Sequence, residues 1–216
     1  MKFYIVTTFP ESIAPYIGSS LLRRAQEKGK ISVSFVNPRD FTADVYKKTD
    51  DIPYGGGPGM VLKAEPIVLA VTETLSAEVK IKNKHIGIFI MSPRGKQFTQ
   101  KNARDYAKKY DIIVLIAGHY EGIDARVRKI LKAKEISVGP YVLTGGEIPA
   151  ALIVDAVSRH IKGVLGDPDS VEEKHVASRD VYTRPDVFEW KGKRYAVPKV
   201  LRSGNHAAIR AWRESH

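Results

Sequence analysis

The residues of this chain whose types and spacing could do chemistry cluster around glycine-bearing turns. In AGHYEGIDARV at 117–127, Gly118 and Gly122 flank Tyr120 and Glu121, and Asp124 follows. Glycine backbone beside an aromatic ring and a carboxylate suits an adenosine moiety and an ammonium group. Alternatively, Glu121 and Asp124 favour the N-terminus of the next helix. In SVGPYVLTGGEIPAALIVDAVSRHI at 137–161, two glycine-bearing turns bracket a short apolar piece ahead of a long helix. Arg159 closes that helical pattern, either complementing the negative helix end or contacting an anion or base. The acidic pair Glu172 and Glu173 reads, from the pattern alone, as a solvated charged stretch.

Two further segments are unusual. PYGGGPGM at 53–60 is a poor helix or strand, and its glycines permit positive φ and close approach of another molecule. It is either a loop that closes over a ligand or nucleotide, or, taken alone, a tight surface turn. MSPRGK at 91–96 follows an apolar run, so it is either a ligand-binding loop at a strand's C-terminal end or an ordinary connection. Known nucleotide and hydrolase signatures do not fit. No Gly-Lys-Ser/Thr follows the glycines, no GxSxG elbow is present, and the histidines have no metal-ligand spacing.

Positioning these residues requires strands alternating with helices. FYIVTT at 3–8, ISVSFVN at 31–37, HIGIFIM at 85–91 and IIVLIAG at 112–118 read as buried strands. Helical patterns run over about 11–28, 65–76, 97–109, 123–131 and 147–160. Strands separated by helices imply parallel pairing, so the predicted fold class is α/β. Three glycine-bearing loops gathered at one sheet edge would form a single cleft for a small molecule. The division is 1–162 as the main domain, 163–179 as a linker and 180–216 as a small C-terminal region. Within that region WKGKRY at 190–195 suits a hairpin, and Asn205 can cap a short helix carrying Ile209 and Trp212 on one face.

Composition bounds the partners. The 216 residues carry 35 Lys and Arg against 24 Asp and Glu, a formal charge of +11. That suits a polyanionic partner through counterion release, although a basic protein without a nucleic-acid role fits the charge equally. Absence of cysteine excludes a disulfide framework, a thiolate metal site and a cysteine nucleophile. The apolar runs are far shorter than the ~20 residues of a membrane span. MKFYIVTTFPES meets Pro and charge too early for a signal peptide, and the expected location is cytoplasmic.

Taken together, these segments resemble the TrmD family, the bacterial tRNA (guanine-N1)-methyltransferases. The matching stretches are NPRDFT at 37–42, DDIPYGGGPGM at 50–60, MSPRGK at 91–96, GHYEGIDARV at 118–127 and SVGPYVLTGGEIPA at 137–150. DAVSRHIKGVLG at 155–166, YTRPDV at 182–187 and SGNHAAIRAWR at 203–213 follow in order. The resemblance implies a SPOUT-type fold with a trefoil knot in the C-terminal part of the main domain, plus a small helical extension. It implies a homodimer that transfers a methyl group from S-adenosylmethionine to guanine N1 at tRNA position 37, with Mg²⁺ as a further cofactor and no membrane or other protein partner. The cofactor residues it implies are Met91, Ser92, Pro93, Gly118, Tyr120, Glu121, Gly122, Ser137, Val138, Gly139, Pro140, Tyr141, Val142, Leu143, Gly145, Gly146 and Pro149. For the tRNA anticodon arm it implies Asp51, Tyr54, Gly55, Gly56, Asp180, Ser203, Asn205 and His206. Catalysis falls to Arg159 and to a carboxylate that removes the N1 proton.

Several positions depart from the family pattern. The loop of the family's catalytic aspartate reads like S-A-V-E-D-S; here it is Ser170-Val171-Glu172-Glu173-Lys174. With a one-residue deletion Glu173 takes the aspartate position; without it Lys174 does, and Asp169 is a lesser candidate. Pro140 stands where many relatives have Asp, and Ile52 replaces a commonly basic or polar residue. The chain stops soon after Trp212, whereas relatives continue through further helices, so weaker tRNA binding is expected. The alternatives are a SPOUT methyltransferase of altered RNA target and a catalytically impaired RNA-binding homologue.

Overall fold

The computed structural model describes residues 1–79, 84–165 and 180–215. The chain divides into two compact units, Met1–Leu165 and Gly166–His216. The first is built on a five-stranded, wholly parallel sheet: β1 (Lys2–Val6), β2 (Ser32–Val36), β5 (Ile86–Gln97), β6 (Ile112–Ile116) and β7 (Lys134–Ser137), in the order β2-β1-β6-β5-β7. A two-stranded antiparallel pair, β3 (Asp50–Asp51) and β4 (Val61–Leu62), brackets the glycine-rich loop. The helices are α1 (Ala14–Ile17), α2 (Ser20–Glu27), α3 (Ala64–Val79), α4 (Gln100–Lys109), α5 (Ala125–Leu131) and α6 (Glu147–Ser158).

β6 shows why the apolar runs become central strands: all five of its residues are buried, with alternate side chains feeding opposite faces. Ile113 and Leu115 join Phe3, Ile5 and Phe89 in a core covered by α1, α2, α4 and α6. Ile112, Val114 and Ile116 join Val6, Ile67, Val71 and Val127 in a second core covered by α3 and α5. This three-layer arrangement bears out the α/β expectation.

The local differences have physical causes. The predicted helix over 11–28 is broken into α1 and α2 at Gly18, where Ser20 takes a positive φ of 43°. α4 starts at Gln100 rather than about 97, because Thr99 and Asn102 form a capping box. MSPRGK is a bulge inside β5 rather than a loop after it. Met91 and Lys96 both pair with Ile136, so 92–95 are extruded from the ladder. Pro93 cannot donate to a ladder. A Cβ on Gly95 would strike the β7 backbone at Glu135 and Ile136. β7 carries no pattern that announces it, and it is held as the strand beside β5.

In the second unit, β8 (Val187–Trp190) and β9 (Lys193–Ala196) form the expected hairpin, and α7 (His206–Ser215) the expected helix. Asn205 Oδ1 accepts the Ala208 N–H at 3.1 Å, as its sequence position foretells. Among the described residues no helix is long and apolar enough to cross a membrane.

Candidate functional site

The C-terminal ends of β1, β5, β6 and β7 bring three of the sequence-defined segments together. Gly146 N–H donates to Gly118 O at 2.9 Å, and His119 bridges Gly145 in antiparallel fashion. A Cβ on Gly146 would lie 2.7 Å from Ala117 Cα, 2.9 Å from Gly118 N and 3.0 Å from Met91 Cβ. Gly146 therefore packs directly on the backbone of 117–118 and on the Met91 side chain, at a distance that only glycine permits, while Gly145 lies against the side chains of His119 and Glu147. The bulge 92–95 stands beside them: Phe98 N–H donates to Ser137 O at 2.7 Å, tying the end of β5 to the end of β7.

Beyond β7 the chain turns sharply. Ser137 Oγ donates to Gly139 O at 2.8 Å, and the Tyr141 ring lies over Gly139 so closely that a side chain there would overlap it. Val138 is half-buried, whereas Pro140, Tyr141, Val142 and Leu143 are exposed. Ser92 is half-buried and Pro93 exposed, while Pro149 is buried in the first turn of α6.

The 118–122 loop is anchored on its other side by the glycine-rich segment. Glu121 N–H donates to Met60 O at 3.0 Å, and Leu62 N–H donates to Gly122 O at 3.0 Å. A Cβ on Gly59 would lie 2.7 Å from Glu121 Cγ. Tyr120 takes a positive φ of 59° and projects outward, half exposed. Asp124 follows the helix-start reading: it caps α5 by accepting the Arg126 N–H at 2.9 Å, and its hydrogen bond with the Arg126 side chain holds the carboxyl below its usual range. Gly55, Gly56, Gly57 and Gly59 all have positive φ, which explains the run of glycines, and Tyr54 at their head is fully exposed. Asp51, in β3, accepts the Ile52 N–H at 2.9 Å and faces Lys63 at 3.5 Å; both interactions lower its carboxyl, the first more.

Three polar residues beneath this edge were absent from the sequence expectations. Glu147 is 4% exposed; it accepts Thr7 Oγ1–H at 2.5 Å and lies 2.7 Å from His119 Nε2. The His119 ring packs on Phe9, with centroids 4.7 Å apart. The only sequence signal was an acid in a first helical turn, which ordinarily means a solvent-facing dipole contact. Here it is a buried bracket joining β1, the end of β6 and the start of α6.

Arg159 forms the C-cap of α6, as its position in the pattern suggests. Glu173, Glu172, Lys174 and Asp169 lie outside the described residues. In the second unit Asp180 is exposed. Ser203 Oγ accepts the Asn205 N–H at 3.2 Å, and His206 lines a shallow cavity of about 320 Å³ with Ala207, Arg210, Ala211 and Glu214. Among the described residues, no group of three or more His, Cys, Asp or Glu could hold a metal ion.

A family model described as tRNA (Guanine-1)-methyltransferase TrmD matches residues 1–216. Curated relatives named tRNA (guanine-N(1)-)-methyltransferase include that of Carboxydothermus hydrogenoformans, 47% identical over 99% of this chain and 81% of its own length. The protein of Thermomicrobium roseum is 48% identical over 99% of this chain and 77% of its own. That of Clostridioides difficile is 43% identical over 99% and 90%.

Proposed function

Because the chain belongs to the TrmD family of tRNA (guanine-1)-methyltransferases, we propose that it methylates guanine N1 at position 37 of tRNA, with S-adenosylmethionine as methyl donor. The observation that carries the proposal is the close packing of Gly146 on Ala117, Gly118 and Met91. It collects the family-like segments 91–96, 118–127 and 137–150 at one sheet edge, where α/β folds bind ligands.

The donor set fits such a group. Adenosine suits the apolar, glycine-lined edge formed by Met91, Gly118, Val138, Leu143, Gly145 and Gly146. Ser92, Pro93, Tyr120, Gly122, Ser137, Gly139, Pro140, Tyr141, Val142 and Pro149 complete the surround, and Glu121 supplies a carboxylate for an ammonium group. When bound, S-adenosylmethionine supplies an electrophilic methyl carbon. The chain's own residues perform the rest. Guanine N1 carries a proton and is a poor nucleophile until it leaves. Glu173 takes that proton, a contribution on the order of 10²–10⁴ in rate. Arg159 faces the guanine O6 side, where negative charge develops. Asp51, Tyr54, Gly55, Gly56, Asp180, Ser203, Asn205 and His206 hold the anticodon arm. No step is assigned to Mg²⁺.

The reading extends to a SPOUT-type knot, to a homodimer and to the cytoplasm, where tRNA resides. Support for the knot is the return of 145–146 against 117–118 after β7 has left that edge. Support for the dimer is α6, which buries most of its length yet leaves Ile148 62% and Leu152 40% exposed on one face. On this reading the base, Glu173, belongs to the 163–179 linker, most of which lies outside the described residues.

The test is incubation with labelled S-adenosylmethionine and tRNA transcripts bearing guanines at positions 36 and 37, followed by mapping of the modified base. Label on N1 of guanine 37 is expected. Label elsewhere means an altered RNA target, and no label despite cofactor binding means an impaired homologue. Full activity in Glu173→Gln would remove Glu173 as the base.

A further inference from the structure

The β8–β9 hairpin carries its aromatic residues on one face. Phe188 and Trp190 are two apart on β8, and the register sets Tyr195 opposite Phe188 and Lys193 opposite Trp190. All three rings stand in solvent, with Phe188 55%, Trp190 58% and Tyr195 55% exposed. The Phe188 and Trp190 rings lie nearly parallel, 13° between planes, with centroids 6.4 Å apart. Lys191 takes a positive φ of 48° ahead of Gly192 at 72°, a two-residue turn that sets its ammonium 5.9 Å from the Trp190 ring centroid. The hairpin's one acid, Glu189, is on the opposite face, paired with Arg194 at 3.1 Å.

An exposed aromatic face framed by cations has a specific complement. A hydrophobic protein partner would leave Lys191 and Lys193 uncompensated. Unpaired nucleobases offer flat faces to the rings, and their phosphates offer charge to the lysines. Residues 180–215 agree with this, holding eight Lys or Arg against four Asp or Glu. Duplex RNA hides its base faces, so the complement is a loop or a single strand. We propose that the β8–β9 hairpin is a stacking platform for unpaired RNA bases, built by Phe188, Trp190 and Tyr195 with Lys191 and Lys193 as phosphate contacts. It deepens the reading of the chain as a tRNA-modifying enzyme and rests on that reading for the identity of the RNA.

Trp190 reports on its own occupancy. Titrating the full chain with a tRNA transcript, or with a single-stranded oligoribonucleotide, is expected to quench tryptophan emission in step with the anisotropy of labelled RNA. Trp190→Phe keeps a ring and near wild-type affinity but loses that quench, which separates Trp190 from Trp212. Trp190→Ala and Phe188→Ala each weaken RNA binding by about 5- to 140-fold, the range for one lost stack. S-adenosylmethionine affinity, measured by calorimetry, stays unchanged. Wild-type emission that does not respond to bound RNA would overturn the proposal, as would wild-type RNA affinity in folded alanine variants. If an alanine variant fails to fold, the Trp190→Phe comparison decides. A changed sedimentation coefficient with unchanged RNA affinity assigns the face to a second copy of the chain and equally overturns it. Failure of the methyltransferase reading looks different: no label reaches guanine N1 although the quench and the affinity losses persist.

Discussion

Replacing Glu147 by alanine tests whether the site edge is held from beneath. The carboxylate is 4% exposed and meets Thr7 Oγ1 at 2.5 Å and His119 Nε2 at 2.7 Å. Hydrogen bonds to a charged group contribute about 1.5–3 kcal/mol each. Losing both, and leaving a buried hydroxyl and a partly buried imidazole without this partner, sets the cost of Glu147→Ala at about 3–5 kcal/mol. That is a large share of the ~5–15 kcal/mol of a typical domain. Glu147→Gln separates shape from charge. Its amide oxygen still accepts from Thr7, and its NH₂ can donate to His119 once the ring carries its proton on Nδ1, so the loss falls to about 1–2 kcal/mol. Gly145 and Gly146 immediately precede Glu147, so loosening the start of α6 should also raise the Kd for S-adenosylmethionine. Urea unfolding gives the stability change, provided the slope is unchanged; calorimetry gives the cofactor affinity. A Glu147→Ala variant that unfolds within about 1 kcal/mol of wild type, or a glutamine variant as damaged as the alanine one, would mean that this carboxylate does not hold the edge.

Gly146→Ala brings no conformational strain of its own, with φ at −86°, but its methyl lands 2.7 Å from Ala117 Cα. We expect a stability loss of about 1–3 kcal/mol from overpacking and a larger loss of cofactor affinity, read by thermal unfolding and calorimetry. Glu78 accepts from Lys2 and Lys84, each at 2.5 Å, and from Tyr4 at 2.8 Å; these bonds hold its carboxyl down at about 2, against 4.5 ordinarily. A depressed carboxyl stabilises the fold above pH 4.5 and loses that contribution as pH falls towards 2. Glu78→Gln should therefore cost about 1–2 kcal/mol at neutral pH, discounted for the half-exposed Lys2, and flatten the acid limb of a stability–pH curve. Ile148→Asp with Leu152→Asp should halve the mass seen in sedimentation while leaving the circular-dichroism spectrum intact; an unchanged mass would place any dimer contact elsewhere.

The sequence alone determined the layered α/β architecture, because short apolar runs such as 112–116 can be satisfied only between helices on both sheet faces. It also determined the cap of α7 at Asn205, the helix start at Asp124 and the β8–β9 hairpin, since each depends on residues within a few positions of one another. The family-like segments were legible for the same reason: their glycines and turns are local. Tertiary structure decided what depends on distant partners. The bulge at 92–95 exists because β7 lies against β5, and nothing within MSPRGK announces a strand crossing it. The burial of Glu147 is set by Thr7, 140 residues away, and by His119, 28 away, so an acid that reads as a solvated helix start becomes a bracket under the site. Likewise the glycines at 145 and 146 read as a turn, and only the packed structure shows why no side chain fits: the Glu147 carboxylate and the His119 ring lie against Gly145, and the backbone of 117–118 lies against Gly146.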